Sequence, residues 1–170
     1  MNLTRIDVKD IRAKLQQHKA LGLHVDGRLL AEIERPGEMY TGFLSSQDQL
    51  LSLVWQSIDD VRPLVPVGAP RRLSDCASRL SQYGWQFQTL VDSGFKWFEK
   101  CVDIDIGFDF AKFGLVVLTP LVDSEKGETL QATLYIYDGV HKTIVFSKKL
   151  LRNEVKFEPV EVVLLSPRRR

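Results

Sequence analysis

The chain has 170 residues, with 23 lysines and arginines against 22 aspartates and glutamates and a formal net charge of +1. That length buries a self-sufficient core without disulfides or metals, and the ordinary apolar content excludes wholesale disorder. The balanced charge argues against a dedicated nucleic-acid binder, whose phosphate contacts need surplus positive charge, and the weak colloidal repulsion it implies suits a protein that associates.

In chain order, Thr4-Arg5-Ile6-Asp7 fits a loose capping box, and Val8, Ile11 and Leu15 follow at helical spacing until Gly22 ends the helix. Leu29–Ile33 reads as a short strand closing at Pro36-Gly37, with Met39–Leu44 as its neighbour. Ser45 or Ser46 caps a helix whose apolar stripe is Leu50, Leu51, Val54, Ile58 and Val61, stopped by Pro63. Residues 62–72 contain Pro63, Pro66, Gly68 and Pro70 and read as a connector inside one fold. Ser74 starts a third helix, with Cys76, Leu80 and Tyr83 on one face and Gly84 at its end.

From Trp85 the pattern changes to alternation, with Asp92-Ser93-Gly94 as a hairpin loop. Val102, Ile104, Ile106, Phe108 and Phe110 alternate with Cys101, Asp103, Asp105, Gly107 and Asp109, the signature of a half-buried strand. Residues 114–166 then read mostly as antiparallel sheet. Leu115–Val122 is apolar on both faces and suits a central strand. After a loop at Ser124–Gly127, Leu130–Tyr137 alternates, Asp138-Gly139 turns, and Thr143–Leu151 returns as the second strand of a hairpin. Val155–Leu165, interrupted at Pro159, supplies a last strand.

On that strand reading, the carboxylates of Asp103, Asp105 and Asp109 share a face, and neighbouring carboxylates can hold a hard cation or share a proton. The EF-hand pattern fails, because Gly107 and Phe108 stand where an oxygen ligand and a glycine belong; a solvated edge explains the aspartates as well. His18, His24 and His141 lack metal-ligand spacing, and GxSxG, phosphate-loop and dinucleotide motifs are absent. No catalytic residue, metal ligand or cofactor is therefore assigned, and the chain reads as a non-enzyme. The basic clusters Arg71-Arg72, Lys148-Lys149 and Arg168-Arg169-Arg170 are candidate contacts to an anionic surface, and Trp97, beside Phe98 and Lys96, is a candidate apolar anchor.

Cys76 and Cys101, without a CxxC, read as reduced thiols of a cytosolic-type compartment. The amino terminus has no apolar signal region, and the longest apolar runs fall far short of a membrane span. A cytoplasmic location follows as the expectation.

The stretch Gly127-Glu128-Thr129-Leu130-Gln131-Ala132-Thr133-Leu134-Tyr135-Ile136-Tyr137-Asp138 resembles a strand of rhabdovirus matrix proteins, and the early strand, the helix bearing Trp55 and the later sheet follow a similar order. The chain departs from that family in lacking a PPxY motif, a long basic amino-terminal arm and strong positive charge. The resemblance implies a non-enzymatic protein that self-associates, condenses a nucleocapsid and underlies an envelope.

The expected fold is α+β: one domain over 1–170, a mostly antiparallel sheet of about five to seven strands, and two or three packed helices. The expected function is structural, with itself and another protein, such as a nucleoprotein, as partners, and with peripheral contact to an anionic membrane but no sequence-specific nucleic acid. Two rival functions are a cytosolic adaptor, such as a secretion chaperone or immunity protein, and a metal-dependent enzyme built on Asp103, Asp105 and Asp109.

Overall fold

The computed structural model describes residues 1–23, 30, 31, 33, 37–120 and 134–165. The architecture is α+β, with five strands in one mixed, mostly antiparallel sheet and six bounded α-helices among the described residues, more than the two or three expected. Two compact units interleave along the chain: Met1–Ser45 with Asp109–Asp138 and Pro159–Arg170, and Ser46–Phe108 with Gly139–Glu158.

The first unit holds the sheet. Its strands are β1 (Leu3–Ile6), β2 (Met39–Leu44), β3 (Val116–Pro120), β4 (Leu134–Asp138) and β5 (Val160–Leu165), in the order β1-β2-β5-β3-β4. All neighbours are antiparallel except β3 and β5, which run parallel. β3 is interior, and Val116, Val117 and Leu118 are fully buried, as its two-sided apolar sequence requires. Period-2 geometry puts Met39, Val117 and Val163 on one face, where they pack with Ile11 and Leu15 of α1 (Val8–Ala20) and with Ile33.

Helix α1 starts one turn later than a Thr4 cap implies. Thr4 lies in β1; the cap is Asp7, extended at φ −91° and ψ 168°, whose carboxylate accepts the Asp10 N–H at 2.9 Å. Leu21 caps its end and Gly22 takes a left-handed φ of +73°. Lys14 of α1 is ion-paired to Glu161 of β5, and His18 Nε2 lies 3.9 Å from that carboxylate's other oxygen.

Where a strand is expected at Leu29–Ile33, the described residues Leu30, Ala31 and Ile33 are helical, and β2 pairs with β1 and β5 instead. Of the alternating stretch 130–137, residues 134–137 lie in β4, while 130–133 and the 124–127 loop fall outside the described residues.

The second unit is helical. It contains α2 (Gln47–Leu51), α3 (Leu73–Arg79), α4 (Phe87–Asp92), α5 (Glu99–Ile106) and α6 (Val140–Leu151), with short 3₁₀ turns at Asp59–Val61, Leu80–Tyr83 and Lys96–Phe98. Ser46 caps α2 as expected, accepting the Gln49 N–H, but the helix stops at Leu51, long before Pro63. Beyond it Val54 bridges Arg72, Trp55 N–H donates to Arg71 O at 2.7 Å, and Leu73 N–H donates to Leu53 O at 2.9 Å. The proline-rich stretch 62–72 is therefore tied down inside this unit, and the Arg79 guanidinium reinforces it through Leu64 O (2.7 Å) and Pro70 O (3.2 Å). α3 and the turn after it end at Gly84, φ +62°, as the sequence predicts.

The second half of the expected hairpin is a helix. α6 packs against α2, α3 and α5, and Val140, Thr143–Lys148 and Leu150 are all buried. The β-branched residues Val140, Thr143, Ile144 and Val145 and the burial of most of its faces make this helix read locally like a strand. Its hydroxyls are satisfied along the helix: Thr143 donates toward Gly139 O and Val140 O, and Ser147 donates to Thr143 O at 2.7 Å. The alternation at 85–88 likewise yields to α4, and Gly94 (φ +97°) follows that helix's end where a hairpin loop was expected.

Candidate functional site

The aspartate face does not exist. Residues 101–106 are in α5, where positions two apart diverge by about 200° around the axis. Asp103 is exposed on the surface, and Asp109, in the other unit, caps a 3₁₀ turn by accepting the Ala111 N–H at 3.0 Å. Asp105 turns inward, its side chain 17% exposed, and is ion-paired to Lys148, while Lys149 Nζ lies 3.0 Å from its Oδ1. No group of three or more His, Cys, Asp or Glu side chains able to hold a metal ion occurs among the described residues.

Lys148 and Lys149 are correspondingly not a surface patch on a hairpin. They sit in the last turn of α6, where the helix dipole favours cations, with side chains only 8% and 14% exposed. Lys148 Nζ lies over the Phe87 ring at 5.4 Å and Lys149 Nζ over Phe108 at 5.6 Å. Lys149 also reaches Glu154 (3.4 Å), which holds Arg152 Nε at 2.6 Å, and Arg152 lies over Trp85 at 5.6 Å. Three cations, two carboxylates and three aromatic rings thus lock α4, α5 and the end of α6 together. Their role is cohesion. Two adjacent lysines after an apolar run were the sequence signal for such a helix end.

Trp97 is half-buried in a 3₁₀ turn. It stacks on His141 (4.0 Å between centroids, 17° between planes), meets Phe98 edge-on at 5.1 Å and tilts against Trp55 at 5.4 Å. A ring engaged on three sides is a poor free anchor. The stack of Trp97 on His141 joins residues 44 positions apart, and neither side's local pattern announced it.

Arg71 is half-buried and Arg72 exposed, on a backbone held by the bridge to Val54, and neither guanidinium makes an ion pair among the described residues. Arg168, Arg169 and Arg170 lie outside the described residues. Both thiols are buried: desolvation pushes Cys76 up to about 12 and holds Cys101 far above the ordinary thiol range, so neither is a nucleophile at neutral pH.

The least covered part of the sheet is its β1 edge. Leu3, Thr4 and Arg5 are exposed, and no strand pairs with the outer side of β1 among the described residues. Glu38 lies 3.7 Å from the Arg5 guanidinium and accepts the Tyr40 hydroxyl at 2.9 Å, a hydrogen bond that raises the Tyr40 pKa. Phe43 on β2 and Met1 add exposed apolar surface. No helix of the described residues is long and apolar enough to cross a membrane. No family model, curated protein or solved structure matches this chain.

Proposed function

We propose that the chain is a non-enzymatic interaction protein that associates with itself and bridges partners. The observation that carries this reading is the β1 edge, a row of backbone donors and acceptors that no other strand pairs among the described residues, beside exposed Leu3, Met1 and Phe43. The near-neutral charge leaves little repulsion between copies. A matrix-like role, in which copies assemble on a nucleoprotein and an anionic membrane surface, is its most specific form. In that form Arg71 and Arg72, together with the terminal arginines, are the basic contacts; Lys148, Lys149 and Trp97 are occupied elsewhere. The metal-dependent alternative loses its basis with the aspartate face. Sedimentation velocity across a concentration and salt series, with cosedimentation on anionic vesicles, tests the proposal. Concentration-dependent assembly, with vesicle binding weakened in the Arg71→Ala/Arg72→Ala variant, supports it. A strict monomer that ignores the vesicles overturns it.

A further inference from the structure

We infer that two copies of this chain pair through β1, antiparallel across a twofold axis passing through Thr4, so that their five-stranded sheets continue into one of ten. The inference deepens the self-association reading and rests on it.

Two of the devices that block edge pairing are missing from the strand. β1 contains no proline and shows no register irregularity, and its only charge, Arg5, is matched by Glu38 of the same chain. Behind it the strand is held close. An added Cβ at Gly42 would stand 2.4 Å from Asn2 O and 3.1 Å from Leu3 Cδ2, so the glycine lets β1 and β2 meet at short range.

Side-chain chemistry then selects the register. Residues directly opposite in an antiparallel pair lie on the same face, so a twofold that preserves the faces pairs positions of equal parity. Centring on Arg5 stacks two guanidiniums, which is unfavourable. Centring on Leu3 sets Asn2 and Met1, which precede the strand, opposite Thr4 and Arg5, so that only Leu3 pairs strand to strand. Centring on Thr4 pairs Thr4 with Thr4, a favourable cross-strand match, and lays the Arg5 stem along exposed Leu3 of the second copy on both sides of the axis. The isologous contact closes as a dimer and leaves no β1 edge for further growth.

Cysteine crosslinking of the full chain reads this directly. Opposed Cβ atoms in a strand pair stand near the span of a disulfide, and the buried native thiols stay out of the reaction. Under copper–phenanthroline oxidation, Thr4→Cys should become mostly disulfide-linked dimer. Leu3→Cys and Arg5→Cys should each stay largely monomeric on a non-reducing gel, yet crosslink when mixed with each other. Thr4→Pro, with an unchanged circular dichroism spectrum, should shift the wild-type dimer to monomer. A dimer that survives Thr4→Pro without Thr4→Cys crosslinking overturns the β1 contact while self-association stands. Arg5→Cys crosslinking to itself as readily as Thr4→Cys overturns the register. A wild-type chain that stays monomeric at every concentration overturns both the contact and the self-association beneath it.

Discussion

Asp105 and Lys148 form an ion pair between α5 and α6 in which both side chains are less than one-fifth exposed. The carboxylate also faces the Lys149 ammonium, so one anion compensates two cations in a poorly hydrated place. Breaking a buried pair by removing one partner strands the other's charge, which costs about 3–5 kcal/mol. Asp105→Asn should therefore lower stability by about 3 kcal/mol, because Lys149 keeps Glu154 as a partner. Asp103→Asn, on the exposed side of the same helix, should stay within about 0.5 kcal/mol. Urea unfolding of both variants separates the two positions; equal losses would mean that α5 does not turn Asp105 inward.

The same helix shows how far the sequence could be read. Val102, Ile104, Ile106, Phe108 and Phe110 alternate cleanly, yet Ile106 is 84% exposed and Cys101, on the supposed polar face, is fully buried. Packing against α6 overrides the local period, because Cys101 and Asp105, four apart, share the inward side of a helix. Where burial is one-sided and the cap is local, reading succeeds: Ile11 and Leu15 point at the sheet, Gly22 and Gly84 end their segments left-handed, and Val116–Leu118 lie buried in the sheet interior. Where a helix is rich in β-branched residues and buried on most of its faces, as α6 is, local propensity points to a strand and packing overrides it. The cation–aromatic cluster and the Trp97–His141 stack were illegible for another reason, since both unite residues distant in sequence.

The start of α1 gives a second, local test. The Asp7 carboxylate satisfies one of the helix's orphan N–H groups, and loss of such a cap costs about 1 kcal/mol. Asp7→Ala should destabilise the protein by that amount, and Asp7→Ser should recover most of it. Chemical denaturation of the pair checks the assignment; a silent Asp7→Ala would move the cap elsewhere.

Gly42 is needed for the room it leaves, because an alanine methyl there meets the Asn2 carbonyl oxygen at 2.4 Å, with backbone on both sides of the clash. Gly42→Ala should push β1 outward at a cost of about 1–3 kcal/mol. Amide hydrogen exchange at residues 3–6 should accelerate while β3 and β5 keep their protection. Uniform acceleration across the sheet would instead mean that β1 and β2 open together with the core.

The buried thiols set an alkaline limit. In the unfolded chain a thiol ionises around its ordinary value of 9.0, whereas burial keeps Cys76 protonated to about 12 and Cys101 protonated beyond the ordinary thiol range. A raised native pKa means that the native state holds a proton the unfolded chain releases. The contribution is complete below pH 9.0 and declines as pH climbs toward the native value, by about 1.4 kcal/mol per pH unit for each thiol. Stability measured in urea at pH 8 and pH 10 should fall further for the wild type than for Cys76→Ala, by about 1.4 kcal/mol over the interval. Comparing slopes cancels the cavity left by the substitution, which shifts both points alike. Matching slopes would show that Cys76 meets solvent in the folded chain, and the thiol would then be open to alkylation by iodoacetamide without denaturant.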